Sequence, residues 1–322
     1  MTLVSTQSTV GSAKRRRKGF DLSSQTTMLL IFLPPAILLF TVFVMLPMAE
    51  AAFFSPYKWS GYGPAPWAFN EATGKSFGTW TGGANFERMF GHGAFRTALS
   101  NTFKVIAVSL LIQLPLALML ALMIYRKSYA NTVFRLIFFV PYILAEVATG
   151  LIWSFVFDGN FGLSRVITDT FDLQKAFFPL AEKQWAFNTI LAVIVWKYFG
   201  FHMMIYIAGL QSIPRDLIEA ARIDGARPLQ IIFFVKLPML WPAITISIFY
   251  SVLGALQVFD LVMPMTAGGP SNSSHTLVSY LYNFGFIRLN VGYGSAVGVF
   301  LFAVGVIFAF VYRNTVQREA VR

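Results

Sequence analysis

Few residues of this sequence have the types and spacing that catalysis or metal binding requires. The three histidines, His92, His202 and His275, lie far apart and show no metal-ligand spacing. No Gly-x-Ser-x-Gly nucleophile motif is present. Gly-Lys-Ser at residues 74–76 ends like a phosphate-binding loop, but Phe69 stands where the first glycine of that motif belongs. The sequence therefore predicts no catalytic residue, no metal site and no ATP site in this chain.

Two charged residues lie inside long apolar segments. Glu146 and Lys197 each fall near the middle of such a segment. Facing lipid, each would cost roughly 2.5–3.5 kcal/mol, so both are expected to face a partner or a water-filled cavity. We expect them to approach each other inside the helix bundle. The pair could fix the register of two helices, or it could serve as a gate or a substrate contact.

A further polar group interrupts the apolar segment around residue 250. Gln257 and Asp260 are three residues apart, which places them on one face of a helix, with Ser251 and Gly254 above them. Amides and carboxylates hydrogen-bond to the hydroxyls of neutral sugars, whose faces pack on aromatic rings such as Phe259. This stripe is a candidate lining of a substrate pathway. Packing between membrane helices is the alternative.

The elements that hold these residues are predicted from hydropathy. The chain has 322 residues, of which 56% are hydrophobic and only 12% charged, a composition typical of an all-α polytopic membrane protein. Six apolar stretches are long enough to cross about 30 Å of hydrocarbon. They lie at about residues 28–49, 103–125, 134–157, 187–210, 243–264 and 293–312. The predicted transmembrane domain is therefore residues 28–312.

Basic residues indicate how these segments are oriented. A basic run at residues 14–18 precedes the first apolar stretch, which is too long for a signal peptide and is read as an uncleaved helix. With the N-terminus inside, the inner segments and the adjoining Arg135 carry 15 of the 25 Lys and Arg residues. This asymmetry predicts that both tails, residues 1–27 and 313–322, lie in the cytoplasm. The basic part of the first tail is expected to be disordered. It also attributes the net charge of +11 to topology and acidic lipid rather than to nucleic acid.

The longest inner segment, residues 211–242, is unusually polar for a connection between two spans. Pro214 and Pro228 suit the first turn of a helix, and Gly225 suits a left-handed helix end. Two short helices at an angle are expected here. They would carry a row of basic residues that includes Arg222 and Lys236.

This segment resembles the Glu-Ala-Ala loop of permease subunits from binding-protein-dependent ABC importers. The family pattern is Glu-Ala-Ala, then Asp-Gly-Ala, then about ten residues to Leu-Pro. The matching positions with the intervening arginine are Glu219, Ala220, Ala221, Arg222, Asp224, Gly225, Leu237 and Pro238. Residues 266–270, Thr-Ala-Gly-Gly-Pro, resemble a signature of carbohydrate permeases, especially the first permease of maltose-type and glycerol-phosphate-type systems. Ala267 stands where glycine is common in the family.

The resemblance implies a fold, a mechanism and a set of partners. The fold would be a type I ABC importer permease core with six transmembrane helices in the bacterial inner membrane. The chain would pair with a second permease, two cytoplasmic ATPase subunits that bind ATP and Mg, and an extracytoplasmic solute-binding protein. The loop would be the coupling helix that docks on one ATPase, with Glu219 as its main polar contact. The solute would be a sugar, with a polyol, a glycerol phosphate or a glycerol phosphodiester as alternatives. A secondary transporter driven by an ion gradient is a more distant alternative to the importer itself.

Overall fold

The computed structural model describes residues 25–172 and 177–314. The predicted N-terminal tail, residues 1–27, therefore lies almost entirely outside the described residues. The same holds for the predicted C-terminal tail beyond residue 314. The chain divides into two compact units, residues 1–50 and 51–322.

The described part of the first unit belongs to a long apolar helix, whose last four residues are counted in the second unit. Helix α1 (Gln25–Phe40) runs through a π-helical turn (Thr41–Met45) into α2 (Leu46–Phe54). From Met28 onward nearly all of its side chains are exposed, although they are apolar. An apolar helix with an exposed surface fits contact with lipid rather than with water.

The second unit consists mainly of helices. After α2 they are α3 (Ala84–Gly91), α4 (Gly93–Val108), α5 (Leu114–Ile124), α6 (Tyr129–Ile143), α7 (Glu146–Val156), α8 (Leu163–Thr170), α9 (Ala186–Gln211), α10 (Arg215–Ile223), α11 (Pro228–Ile231), α12 (Leu237–Met239), α13 (Trp241–Gln257), α14 (Val262–Thr266), α15 (Leu277–Leu281) and α16 (Val291–Tyr312). π-Helical turns Ser109–Gln113, Ile232–Lys236 and Tyr282–Ile287 follow α4, α11 and α15.

Two small antiparallel strand pairs lie between α2 and α3. Strand β1 (Tyr57–Lys58) pairs with β4 (Thr79–Trp80), with Tyr57 opposite Trp80. Strand β2 (Phe69–Asn70) pairs with β3 (Lys75–Ser76). The Asn85 side chain donates hydrogen bonds to the carbonyls of Ser55 and Tyr57, at 2.8 and 2.9 Å, which ties this segment to α3.

Among the described residues, four helical stretches are long and apolar enough to cross a membrane unaided. They are Met28–Phe54, Gly93–Ile124, Ala186–Gln211 and Val291–Tyr312. Two bent pairs qualify only together: α6 with α7 at 97°, and Pro228–Met239 with α13 at 64°. The predicted all-α membrane fold is confirmed. The count of six spans requires each bent pair to be one span and stays a prediction.

Three predicted spans differ from the helices observed. The second helix begins at Gly93, ten residues before the predicted start at 103, because its first turns are polar on one side and do not register in hydropathy. The predicted span 134–157 is interrupted, since Leu144 and Ala145 adopt extended backbone with ψ of 139° and 135°. The predicted span 243–264 ends as a helix at Gln257.

The packing around the interruption depends on close backbone contact. A Cβ built on Gly200 of α9 would lie 1.9 Å from the carbonyl oxygen of Phe138 in α6. A Cβ on Gly150 of α7 would lie 2.4 Å from Cγ of Pro264 in α14. Only glycine lets these helices approach so closely. The core beneath them contains Val105, Phe187, Ile190, Leu191, Val193, Ile194, Ala255, Leu261, Val262 and Met265.

Candidate functional site

A cavity of about 310 Å³ lies between α4, the α6–α7 interruption, α9 and α13. This volume falls at the lower end of the range found for small-molecule sites. Its lining is half polar. It consists of Val105, Ser109, Gln113, Tyr142, Glu146, Ile194, Tyr198, Phe201, His202, Tyr250, Ser251, Gly254, Ala255, Gln257, Val258 and Asp260. The arrangement offers acceptors, donors and aromatic rings to a solute in the cavity.

Glu146 is positioned by the interruption of the third apolar stretch. It is the first residue of α7, where the helix dipole favours a negative charge. The hydroxyl of Tyr198 donates a hydrogen bond to Glu146 Oε1 at 2.5 Å. This contact joins the start of α7 to the middle of α9 and holds the carboxylate at the cavity wall.

Lys197 serves the other side of the same interruption. Its Nζ donates to the carbonyl oxygens of Leu144 and Pro141, at 2.6 and 3.3 Å. These carbonyls lie at the end of α6, where no further helical turn supplies a donor. The side chain is 1% exposed, so the ammonium group is enclosed by protein.

The two intramembrane charges therefore lie close together without forming a direct ion pair. Electrostatic interaction between Glu146 and Lys197 is present, but the salt bridge found among the described residues joins Arg165 to Asp169 instead. Lys197 hydrogen-bonds to carbonyls at the carboxyl end of α6, and Glu146 lies at the amino end of α7, where the helix dipole favours an anion. Whether the two charges fix the register of the helices or serve as a gate or a substrate contact stays a prediction.

Several polar atoms in the cavity wall have no partner within the described structure. His202 Nδ1 and Ser251 Oγ are buried and lack a hydrogen bond, with side chains 3% and 7% exposed. Gln113 is 2% exposed and accepts a hydrogen bond of 3.4 Å from Ser109 Oγ across a π-helical turn. Turns of this kind are frequent at functional sites. At a cavity wall, such groups are available to hydrogen-bond to water or to a ligand.

The prediction that Gln257 and Asp260 share one helical face is wrong. Helix α13 ends at Gln257, and Val258 turns the chain away with ψ of 116°. Gln257 and Asp260 nevertheless both line the cavity, together with Ser251 and Gly254. Phe259 does not line it, because its ring packs edge-on against Tyr282 at 5.2 Å.

Residues 258–276 form the loop that carries Asp260, and hydrogen bonds fix both of its ends. Thr276 Oγ1 donates to the carbonyl of Val258 at 2.5 Å. The Asn101 amide donates to the carbonyls of Ser273 and His275, at 2.7 and 3.0 Å. Burial lowers the pKa of His275 to about 4, with a smaller contribution from Arg288, so this loop contains a neutral imidazole.

The departure at Ala267 has a conformational consequence. Ala267 adopts a left-handed backbone with φ of 49° at the end of α14, and Gly268 follows with φ of 85°. A left-handed position suits glycine better than alanine. Thr266 Oγ1 and Ser274 Oγ, 2.7 Å apart, hold the two sides of this turn together.

The polar helix α10 lies on a separate loop and is exposed. Glu219, Ala220, Arg222 and Asp224 are exposed, while Ala221 is half-buried. At its end the Ala226 amide donates to the Ala221 carbonyl at 2.9 Å, and the Gly225 amide donates to the Arg222 carbonyl at 3.0 Å. With φ of 80° at Gly225, these bonds form a Schellman helix end.

The remainder of this loop is anchored to the bundle. Lys236 Nζ donates to the Tyr125 hydroxyl at 3.0 Å and lies 4.6 Å from the centre of its ring. Leu237 is half-buried and Pro238 is exposed. The polar helix thus projects from a fixed base, with the exposed apolar side chains Leu217 and Ile223 beside Glu219.

Sequence reasoning missed most of the aromatic and histidine lining of the cavity. Tyr142, Tyr198 and Tyr250 resemble ordinary membrane aromatics, and His202 was considered only as a metal ligand. One usable signal existed: Ser109 and Gln113 are polar residues four apart in an apolar segment. In the described part of the chain, no group of three or more His, Cys, Asp or Glu side chains is placed to hold a metal ion.

A helical membrane bundle with a partly polar cavity and an exposed polar helix fits a membrane transport subunit. Residues 113–321 match the model of the family described as binding-protein-dependent transport system inner membrane components. The chain belongs to this family, which makes it a permease, a transport component of the inner membrane rather than an enzyme.

Curated relatives and solved structures agree with this assignment. The chain is 33% identical over 314 residues to the diacetylchitobiose uptake system permease protein of Streptomyces coelicolor, covering 93% of this chain and 84% of that protein. It is 29% identical to the sulfoquinovosyl glycerol transport system permease of Agrobacterium fabrum, covering 95% of each. It is 27% identical to an sn-glycerol-3-phosphate permease of the same organism, covering 89% and 94%.

The fold is also that of a solved importer. A chain from a bacterial ABC transporter that imports the acidic polysaccharide alginate superposes with a TM-score of 0.75, at 22% identity, covering 90% of this chain and 95% of that chain. A bacterial alginate ABC transporter solved in complex with an alginate pentasaccharide-bound periplasmic protein gives a TM-score of 0.74 at 22% identity, covering 91% of this chain and 94% of that chain. The predicted ABC importer permease fold is thereby confirmed.

Proposed function

We propose that this chain translocates a mono- or oligosaccharide by alternating access, driven by ATPase subunits that dock on α10. The observation that carries the proposal is the presence in one chain of a half-polar cavity and an exposed, rigidly ended polar helix on a loop of the same bundle. Converting ATP-driven closure into movement of helices requires a stiff connection between the two. Helix α10, ended by its Schellman motif and followed by an anchored base, has that property.

The proposed partners follow from the same reading. They are a second permease, two ATPase subunits that bind ATP and Mg, and a solute-binding protein outside the membrane. The alginate importer, solved with its periplasmic protein, supports the last of these. In this arrangement the chain has six spans with both termini in the cytoplasm, which places α10 where ATPases lie. The relatives named for diacetylchitobiose and sulfoquinovosyl glycerol support a sugar-containing solute.

A second candidate is the import of a polyol, a glycerol phosphate or a phosphodiester. Relatives named for sn-glycerol-3-phosphate transport favour it. A gradient-driven secondary transporter is a more distant alternative. Depleting ATP while the membrane potential is maintained separates that class, because uptake by an ATP-driven importer then stops.

Two substitutions in the coupling segment test the proposed mechanism. Glu219→Lys reverses the charge of an exposed side chain, and Gly225→Pro forbids the positive φ that ends α10. Both variants should assemble in the membrane, yet sugar uptake and ATP hydrolysis stimulated by the binding protein should fall at least tenfold. A thermal-shift ligand screen of the binding protein identifies the sugar to label.

Glu87→Lys, on the exposed face of α3, is the matched control and should transport normally. Normal uptake by both coupling variants would refute the assignment of α10 as the coupling helix.

A further inference from the structure

The charges around the cavity distinguish between classes of solute. Two carboxylates, Glu146 and Asp260, belong to its wall, whereas neither lysine nor arginine is among the residues that line it. The buried cation Lys197, which precedes the lining residue Tyr198 in α9, directs its ammonium group to two main-chain carbonyls and does not line the cavity. An anionic solute would therefore meet negative charge and find no cationic partner in this wall.

The same wall is suited to hydroxyl groups. The Asp260 carboxylate accepts no hydrogen bond from the described residues, and Glu146 receives one, from Tyr198. Free carboxylate oxygens are strong acceptors for donors on a ligand. His202 Nδ1 and Ser251 Oγ, both more than nine-tenths buried and without partners, add polar atoms in the same wall. The rings of Tyr142, Tyr198 and Tyr250 supply flat apolar faces.

We propose that this cavity binds uncharged saccharides and rejects phosphorylated, sulfonated or uronic solutes, with Glu146 and Asp260 as the selecting residues. The carboxylates accept hydrogen bonds from sugar hydroxyls and repel an anionic group in the same position. The low dielectric of the surrounding helices strengthens both effects relative to water. This inference rests on the proposed function, since it assigns a solute class to the same translocation pathway.

Direct binding to the assembled complex tests the inference without the selectivity of the binding protein. The complex with its partner permease and ATPases is placed in lipid nanodiscs, and saturation-transfer NMR measures binding of diacetylchitobiose, maltotriose and sn-glycerol-3-phosphate. The uncharged sugars should bind and the phosphate should not. In the isosteric double variant Glu146→Gln with Asp260→Asn, sugar affinity should fall at least tenfold. Binding of sn-glycerol-3-phosphate should appear, because the two amide groups no longer repel the phosphate and can donate hydrogen bonds to it.

The gain of anion binding separates selection by charge from a merely structural role of the two carboxylates, which would only weaken binding. Glu87→Gln, at an exposed carboxylate on α3, is the matched control and should behave as the unmodified complex. Three outcomes overturn the proposal: binding of sn-glycerol-3-phosphate to the unmodified complex, no binding of either uncharged sugar, or a double variant in which binding of sn-glycerol-3-phosphate does not appear.

This test fails independently of the proposed function. A complex that binds uncharged sugars in its cavity but shows no ATP-driven uptake refutes the importer mechanism and leaves the selection by charge intact. ATP-driven uptake of an anionic solute that depends on Glu219 supports the importer mechanism and refutes the selection by charge.

Discussion

Replacing Lys197 by methionine removes the ammonium group that joins α9 to the interruption between α6 and α7. Methionine is similar in length and apolar, so the substitution fills most of the space while removing the charge and its donors. The carbonyl oxygens of Leu144 and Pro141 then lose a partner at 2.6 and 3.3 Å. Because Lys197 is 1% exposed, water does not readily replace the lost donor.

The magnitude follows from the two carbonyl groups. A buried acceptor left without a partner costs about 1–3 kcal/mol, so two of them cost roughly 2–6 kcal/mol. Removing a buried charge returns part of this, because the charge no longer has to be desolvated. A net destabilisation of about 2–4 kcal/mol is expected. A domain of 150–250 residues loses about 2–4 °C of melting temperature per kcal/mol, so a fall of about 4–16 °C is expected.

The assay compares thermal unfolding of the purified complex at one scan rate, since membrane complexes often unfold irreversibly. Hydrogen exchange supplies a local measurement, because the amides around residues 141–149 should lose protection first. Lys183→Met, at an exposed lysine outside the helices, is the matched control. If Lys197→Met unfolds at the temperature of that control and exchange at the interruption is unchanged, the ammonium group does not hold the broken helix together.

Two further predictions concern stability. Gly200→Ala should destabilise the complex by about 1–3 kcal/mol, because its Cβ would lie 1.9 Å from the Phe138 carbonyl oxygen, whereas Gly305→Ala, with open space around it, should unfold at or above the normal temperature. The pKa of His275 is lowered to about 4 against about 6.5 in the unfolded chain, so the unfolded state binds more protons between these values and stability should fall as pH drops from 6.5 to 4. Melting temperatures of the complex and of His275→Gln at pH 7 and 5 check this: a pH response as large in His275→Gln would contradict it.

The sequence was sufficient for features that depend on local chemistry. Apolar length predicts a helical membrane protein, and Gly225 predicts a left-handed helix end because few other residues adopt positive φ at low cost. Residues 221–226 alone are sufficient to predict where α10 ends. Each of these features is formed by residues close together in the chain, which is why sequence reasoning reached them.

The interruption at residues 144–145 could not be predicted in the same way. The apolar run continues through it, and the groups that stabilise it, Lys197 and Tyr198, are more than 50 residues away in the sequence. The loop at residues 258–276 has the same character, since the Asn101 contacts that hold it span 172 and 174 residues. Hydropathy records neither kind of contact, and it therefore predicts unbroken helices at residues 134–157 and 243–264.

The positions of the two intramembrane charges support the view that the interruption is part of the site rather than a packing defect. A direct ion pair between Glu146 and Lys197 would neutralise both groups, and it would need no interruption of the helix that carries Glu146. Instead, the cation lies at the negative end of α6 and the anion at the positive end of α7, so each charge stabilises a helix end that exists only because the helix is broken. This arrangement gives Lys197 its hydrogen-bond partners within the protein. It leaves Glu146 at the cavity wall, where its carboxylate can accept further hydrogen bonds.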